Sequence, residues 1–246
     1  MRKAFAALAG DHEDRHSLLR AVCRPGVNFL KRFSITRAVY LQVVHPLLAE
    51  RGCAGTDADG YLYTTGWLRS YVTGRPVTKS GSPLPWYTYP AIAFLSERVR
   101  PGMRVFEYGS GNSTLWWLSQ GCDVVACEHD REWFEAVRRK TAGAAVLVFR
   151  EPTDRRYVTE VTGHGLFDIV VIDGLHRVEC AKACVPLLND KGVVIFDNAE
   201  REEYWEGFRY LLDAGFRRLN LDGLAALNVF ASCTSVFYRS SNCLGI

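Results

Sequence analysis

The pattern of hydrophobic and polar positions changes near residue 100 of this chain. Beyond it, short apolar runs rich in Val, Ile and Phe alternate with longer segments of helical period. The runs at 104–108, 123–128, 144–149, 167–173 and 192–197 predict five strands. Helices are predicted between or after them at 115–118, 132–141, 178–188 and 202–214. The 167–173 run is apolar on both faces, as a central parallel strand requires. Two further strands are predicted at 216–221 and 234–239, and the lack of a helix-length pattern between them makes them antiparallel neighbours.

Upstream the rhythm is different. Residues 91–99 read as a helix, and Pro101-Gly102 turns the chain into the first core strand. Residues 1–83 are predicted to form an N-terminal helical extension, with 35–50 its strongest helix and His45 a packed residue inside it. Residues 74–90 are dense in Gly, Pro, Ser and aromatics, a structured loop whose segment Trp86 to Tyr89 reads as a lid or a hinge over the core. The α/β domain then spans 84–246.

The first core strand runs directly into Glu107-Tyr-Gly109-Ser-Gly111-Asn-Ser-Thr114. Gly109 and Gly111 permit backbone geometry and close ligand approach, and Ser113 or Thr114 is placed to cap the helix that follows. Glu128 ends the next strand, about 20 residues on, where an acid takes ribose hydroxyls in doubly wound folds. Thr114 stands where a dinucleotide fingerprint has its third glycine, so the turn departs from the pattern for a pyrophosphate.

Composition narrows the partners. The net charge is +3, from 30 Lys and Arg against 27 Asp and Glu, and no basic stripe argues for nucleic acid. A small polar acceptor is the expected partner. The eight cysteines (23, 53, 122, 127, 180, 184, 233 and 243) fall largely in apolar strand and helix patterns, as reduced core residues do. Cys180 and Cys184 lie one helical turn apart with no second ligand pair at zinc spacing, so core packing is their expected role. No signal segment and no apolar run of membrane-spanning length is visible, which leads to an expectation of a cytoplasmic protein without membrane contact.

The Glu107-x-Gly109-x-Gly111 pattern resembles the S-adenosylmethionine motif of the Rossmann-like class I methyltransferases, and the resemblance covers about residues 84–246. It implies a mostly parallel seven-stranded sheet with an antiparallel terminal strand. It further implies a cofactor-binding set of Glu107, Gly109, Ser110, Gly111, Asn112, Ser113, Glu128 and Asp173.

Asp173-Gly-Leu-His176-Arg177 after the fourth strand and Asp197-Asn198 after the fifth form the predicted catalytic edge, with His176 as the base and Asp173 beside it. Ile172-Asp-Gly-Leu-His176 resembles the macrocin-type O-methyltransferases, and the whole set resembles those and the FkbM type, which modify sugars or natural products. Asp173, Asp197 and Asn198 resemble the ligand set of the catechol type, which implies Mg²⁺ as a second cofactor. Against this stands a plainer reading in which Asp197-Asn198 caps the next turn, Trp116-Trp117 packs the core, and Arg177 is a solvated helix-start residue. The expectation is an S-adenosylmethionine-dependent O-methyltransferase acting on a small molecule or glycan. The alternatives are an NAD-dependent oxidoreductase, an N-methyltransferase and a silent nucleoside-binding partner protein.

Overall fold

The computed structural model describes residues 59–246, which lie in the compact unit Ala58–Ile246. The predicted helix at 35–50 with His45, and Cys23 and Cys53, lie outside the described residues. Two short helices, α1 (Tyr61–Thr64) and α2 (Trp67–Thr73), precede α3 (Tyr89–Ser96). Then come β1 (Arg104–Tyr108), α4 (Asn112–Ser119), β2 (Asp123–Glu128), α5 (Arg131–Thr141), β3 (Val146–Phe149) and α6 (Arg156–Thr159). The remainder is β4 (Phe167–Ile172), α7 (Arg177–Cys184), β5 (Leu188–Phe196), α8 (Trp205–Asp213), β6 (Arg217–Leu224) and β7 (Ala231–Tyr238).

The strand order is β3-β2-β1-β4-β5-β7-β6. The first five strands are parallel, and β7 runs antiparallel to both β5 and β6. The chain winds outward from β1 to β3, then returns to β4 on the other side of β1. The β1/β4 boundary is therefore the switch point, where loops leave in opposite directions and open a crevice at the carboxyl ends.

Period-2 alternation sends Phe106 and Tyr108 of β1 into one buried cluster, with Val170 and Ile172 of β4 and Phe208 of α8. Val105 of β1 and Ile169 and Val171 of β4 enter the opposite cluster, with Ile92 and Leu95 of α3 and Trp116 and Trp117 of α4. Each fully buried side chain of this size contributes about 1.5–3 kcal/mol. Cys180 and Cys184 are buried in the first cluster, in the core role expected of them.

Local signals fix the helices. Asp130 caps α5 by accepting the Trp133 N–H, the buried Phe134, Val137 and Thr141 form one stripe, and Arg138-Arg139-Lys140 complement the dipole in its last turn. Thr88 caps α3 by accepting from Ala91, with Pro90 in the first turn.

The segment ahead of α3 is built into the sheet domain. Tyr87 and Tyr89 are buried. Thr88 donates its hydroxyl to Leu221 O of β6 at 2.7 Å, and its N–H to Thr234 Oγ1 of β7 at 3.1 Å. Within Trp86 to Tyr89 only Trp86 is exposed, and its indole nitrogen donates to Asn228 Oδ1. Trp67 of α2 likewise donates to Asn228 O, so α2 belongs with the sheet domain although it falls within the stretch read as extension.

Candidate active site

The crevice at the switch point is assembled from four strand ends. After β1, Gly109 takes φ +100, and a Cβ there would lie 3.1 Å from the Asp173 carbonyl oxygen. Glycine thus lets the β1 and β4 ends touch. The rest of the turn is held from three sides. The Gly111 N–H donates to Thr114 Oγ1 at 3.0 Å, Asn112 Nδ2 donates to Pro76 O at 2.7 Å, and Trp133 Nε1 donates to Ser110 O at 2.5 Å. Helix α4 starts at Asn112, earlier than expected, so Thr114 sits inside its first turn. Its hydroxyl joins Gly111 to the Glu107 carboxylate, to which it donates at 2.6 Å.

Glu128, at the end of β2, is 3% exposed. Its Oε1 accepts the N–H groups of His129 and Asp130 at 2.8 and 2.9 Å. Its Oε2 accepts the Ser110 N–H at 2.8 Å and the Ser110 hydroxyl at 2.9 Å. Burial by itself pushes this carboxyl up, but the hydrogen bonds from His129, Asp130 and Ser110 outweigh it and hold the pKa below the ordinary value. Glu128 is an ionised carboxylate fixed against the glycine turn.

Glu107 lies on the opposite electrostatic footing. It alternates with Phe106 and Tyr108, so it projects to the face of Val105, Trp117 and Tyr87. Burial pushes its carboxyl up to about 8, against the hydrogen bonds of Thr114 and Ser113. The Tyr87 hydroxyl and the Trp117 indole nitrogen are buried without a completed hydrogen bond. Burial raises the Tyr87 phenol far above its usual value, and the charges of Glu107, Asp173 and Asp197 add to this. Tyr87 is a residue that sequence reasoning placed in a lid. Its only signal was the aromatic density of 86–89.

At the β4 and β5 ends, Asp173 and Asp197 face each other across Arg177. Arg177 is only 10% exposed at its side chain. It donates to Asp173 Oδ1 at 2.9 Å, to Gly174 O at 3.0 Å and to Asp197 O at 2.6 Å. This is a bracket between two loops, where a solvated helix-start arginine was the plainer expectation. Asp197 is buried and accepts the Thr234 hydroxyl at 2.7 Å. Burial, followed by the charge of Asp173, pushes its carboxyl well up. Asp173 is more open, with its side chain 31% exposed, and burial raises its pKa against the pull of Arg177. Two acids so placed favour one shared negative charge.

His176 stands apart from this pair. It adopts φ +49 at the start of α7, is exposed, and its Nε2 reaches Pro152 O, past β3, at 3.3 Å. Its ring lies 6.4 Å from that of Tyr157. The structure thus gathers Glu107, Gly109, Ser110, Gly111, Asn112, Ser113, Glu128 and Asp173 around the turn, and sets His176 on the β3 side of the crevice.

The donor arrangement at Asp173, Asp197 and Asn198 does not suit Mg²⁺, which corrects the expectation of a second cofactor. Arg177 already supplies the compensating cation at Asp173 Oδ1, and Thr234 donates to Asp197 Oδ1. Asn198 takes φ +51 and turns its amide nitrogen toward Ser232 Oγ at 3.5 Å. Among the described residues, no group of three or more His, Cys, Asp or Glu is spaced to hold a metal ion.

The strand order with its antiparallel β7, the glycine turn after β1 and the acid after β2 give an α/β Rossmann-like methyltransferase fold. Residues 106–199, from β1 to the loop after β5, match the model of a family described as a methyltransferase domain. Among solved structures, the chain is similar to a methyltransferase from Pyrococcus furiosus at 19% identity, covering 71% of this chain and 94% of that one with a TM-score of 0.47. It is also similar to precorrin-6y C5,15-methyltransferase from Geobacter metallireducens, at 14% identity over 61% and 87% of the two chains with a TM-score of 0.46. Spermidine synthase from Thermotoga maritima is similar at 15% identity over 61% and 57%, with a TM-score of 0.49. These distant likenesses bring no substrate to this chain. A search of curated proteins finds no match. Among the described residues, no helix is long and apolar enough to cross a membrane.

Proposed function

We propose that this protein is an S-adenosylmethionine-dependent methyltransferase that methylates a hydroxyl group of a small metabolite or glycan. The observation that carries the reading is the Glu128 carboxylate held ionised against Ser110 of the glycine turn, inside the segment that matches a methyltransferase domain. The residues fit the cofactor. Gly109 lets the β1 and β4 ends close on one another at the turn, and Glu128 stands where ribose hydroxyls need an acceptor. Glu107, beneath the turn, lies toward the methionine end. When bound, S-adenosylmethionine supplies a methyl group on a positively charged sulfur.

The remaining work falls to the chain. Asp173, the more open of the two paired acids, accepts the proton of the acceptor hydroxyl, and its raised pKa makes it a stronger base than an ordinary aspartate. Arg177 holds it in place, and behind it burial and the charge of Asp173 push the Asp197 carboxyl well up. His176 lines the rim on the β3 side. The near balance of charge, +3 over the chain, supports a small polar acceptor over nucleic acid.

Calorimetric titration with S-adenosylhomocysteine and with NAD tests the cofactor: binding of the first and not the second is expected, and the reverse overturns the reading. Glu128→Ala should weaken S-adenosylhomocysteine by several-fold to about a hundredfold, since hydrogen bonds to a charged group are strong. Labelled methyl transfer to a panel of hydroxylated metabolites and glycans tests the acceptor. Label found only on amines overturns the hydroxyl assignment.

A further inference from the structure

The Glu128 carboxylate is already full in the free protein. Four hydrogen-bond donors occupy its two oxygens, the His129 ring Nδ1 lies a further 3.2 Å from Oε1, and a carboxylate offers about four lone-pair directions. At 3% exposure, water has little room to exchange with any of them. A ribose hydroxyl that bonds to this carboxylate must therefore take the place of a resident donor.

Three of the four donors are backbone N–H groups, of Ser110, His129 and Asp130. They are fixed by their loops. The Ser110 carbonyl is clamped by Trp133, the neighbouring Gly111 N–H is tied to Thr114, and Asn112 is tied to Pro76. The Asp130 side chain caps α5, which anchors the 129–130 turn. The fourth donor is the Ser110 hydroxyl, which leaves Oε2 by rotation about a single side-chain bond and asks nothing of the backbone.

We propose that Ser110 is a placeholder for a ribose hydroxyl: its Oγ satisfies Glu128 while the crevice is empty and swings away when the nucleoside arrives. This rests on the proposed function, which sets a ribose at Glu128, and adds a residue that tunes cofactor affinity by stabilising the empty state. Satisfying a buried anion in the free protein alone weakens binding by the same factor that it stabilises the free protein. A serine that instead bound the cofactor directly would have the opposite effect.

The variants Ser110→Ala and Ser110→Thr separate these roles. In Ser110→Ala, S-adenosylhomocysteine should bind about three- to tenfold more tightly, the equivalent of one hydrogen bond lost from the free state only. The melting temperature of the free protein should fall, while that of the protein saturated with S-adenosylhomocysteine stays near wild type. Ser110→Thr keeps the hydroxyl and should restore the wild-type affinity. Adenine alone, which has no ribose, should bind both variants and the wild type equally. Equal or weaker binding of S-adenosylhomocysteine by Ser110→Ala, with the wild type binding normally, overturns the placeholder and leaves the proposed function standing. Failure of the wild type to bind S-adenosylhomocysteine at all overturns both.

Discussion

Two groups of carboxylates border the same crevice and are treated in opposite ways. On the β2 side, Glu128 is surrounded by backbone and hydroxyl donors and held ionised. On the β4 and β5 side, Asp173 is paired with a guanidinium and Asp197 with a hydroxyl; burial raises both carboxyls, and the charge of Asp173 adds to the rise at Asp197. The same functional group is thus made a fixed acceptor in one half and a proton-exchanging group in the other. Environments that push neighbouring carboxyls apart in this way mark a division between binding and chemistry.

The comparison breaks first at Asp173. Asp173→Asn keeps the shape and a partner for Arg177, and should lower turnover by about 10²–10⁴-fold, with S-adenosylhomocysteine affinity within a few-fold of wild type. A loss confined to affinity would move Asp173 to the binding half. In the wild type, the rate should rise with pH through a value above 3.8, because the base acts only when deprotonated and burial has raised its pKa from there.

A smaller effect is expected at Glu107, which borders both halves. Its carboxyl moves from the ordinary 4.5 to about 8 on folding. Between those values the unfolded chain has lost a proton that the folded one keeps, so stability is fully present below about pH 4.5 and is lost as pH rises through about 8. Glu107→Gln removes the titration. Chemical denaturation at a series of pH values should show that decline, of roughly a few kcal/mol, flattened in the variant. An unchanged slope would mean that Glu107 is ionised in the folded protein.

The smallest effect belongs to His176. The hydrogen bond of its ring, to Pro152 O, is exposed, so His176→Ala should alter turnover by no more than about tenfold. A loss as large as that of Asp173→Asn would restore it as the base and redraw the line between the halves.

The glycine turn with Glu128 was legible in the sequence, and the surroundings of Asp173 and Asp197 only in outline. Gly109, Gly111 and Glu128 lie within short spacings set by one strand, one turn and the next strand, and local geometry carries them to the crevice unaided. Asp173 and Asp197 were readable as acids ending apolar runs for the same reason. What surrounds them comes from far along the chain. Arg177 reads as a helix-start arginine until β5 is placed beside β4, and Thr234 reaches Asp197 only because β7 pairs with β5. Tyr87 precedes the sheet by 17 residues, and no spacing rule links it to Glu107, Asp173 and Asp197. The metal expectation meets the same limit: a pattern of Asp, Asp and Asn carries no sign of the arginine and the threonine that each bond to one of their oxygens.

The position of β7 has a consequence for the birth of the molecule. This strand is the last in sequence order yet lies between β5 and β6, so during synthesis β5 presents an unpaired edge until residues through Tyr238 have been made. Until then Asp197 lacks its hydroxyl partner and the Thr88 N–H lacks its acceptor. A nascent chain halted before β7 exposes a long apolar strand edge to its neighbours on the polysome, the situation in which chaperones are recruited and chains cross-pair. The hydroxyl that satisfies the buried Asp197 carboxyl thus comes with the last strand of the sheet to emerge.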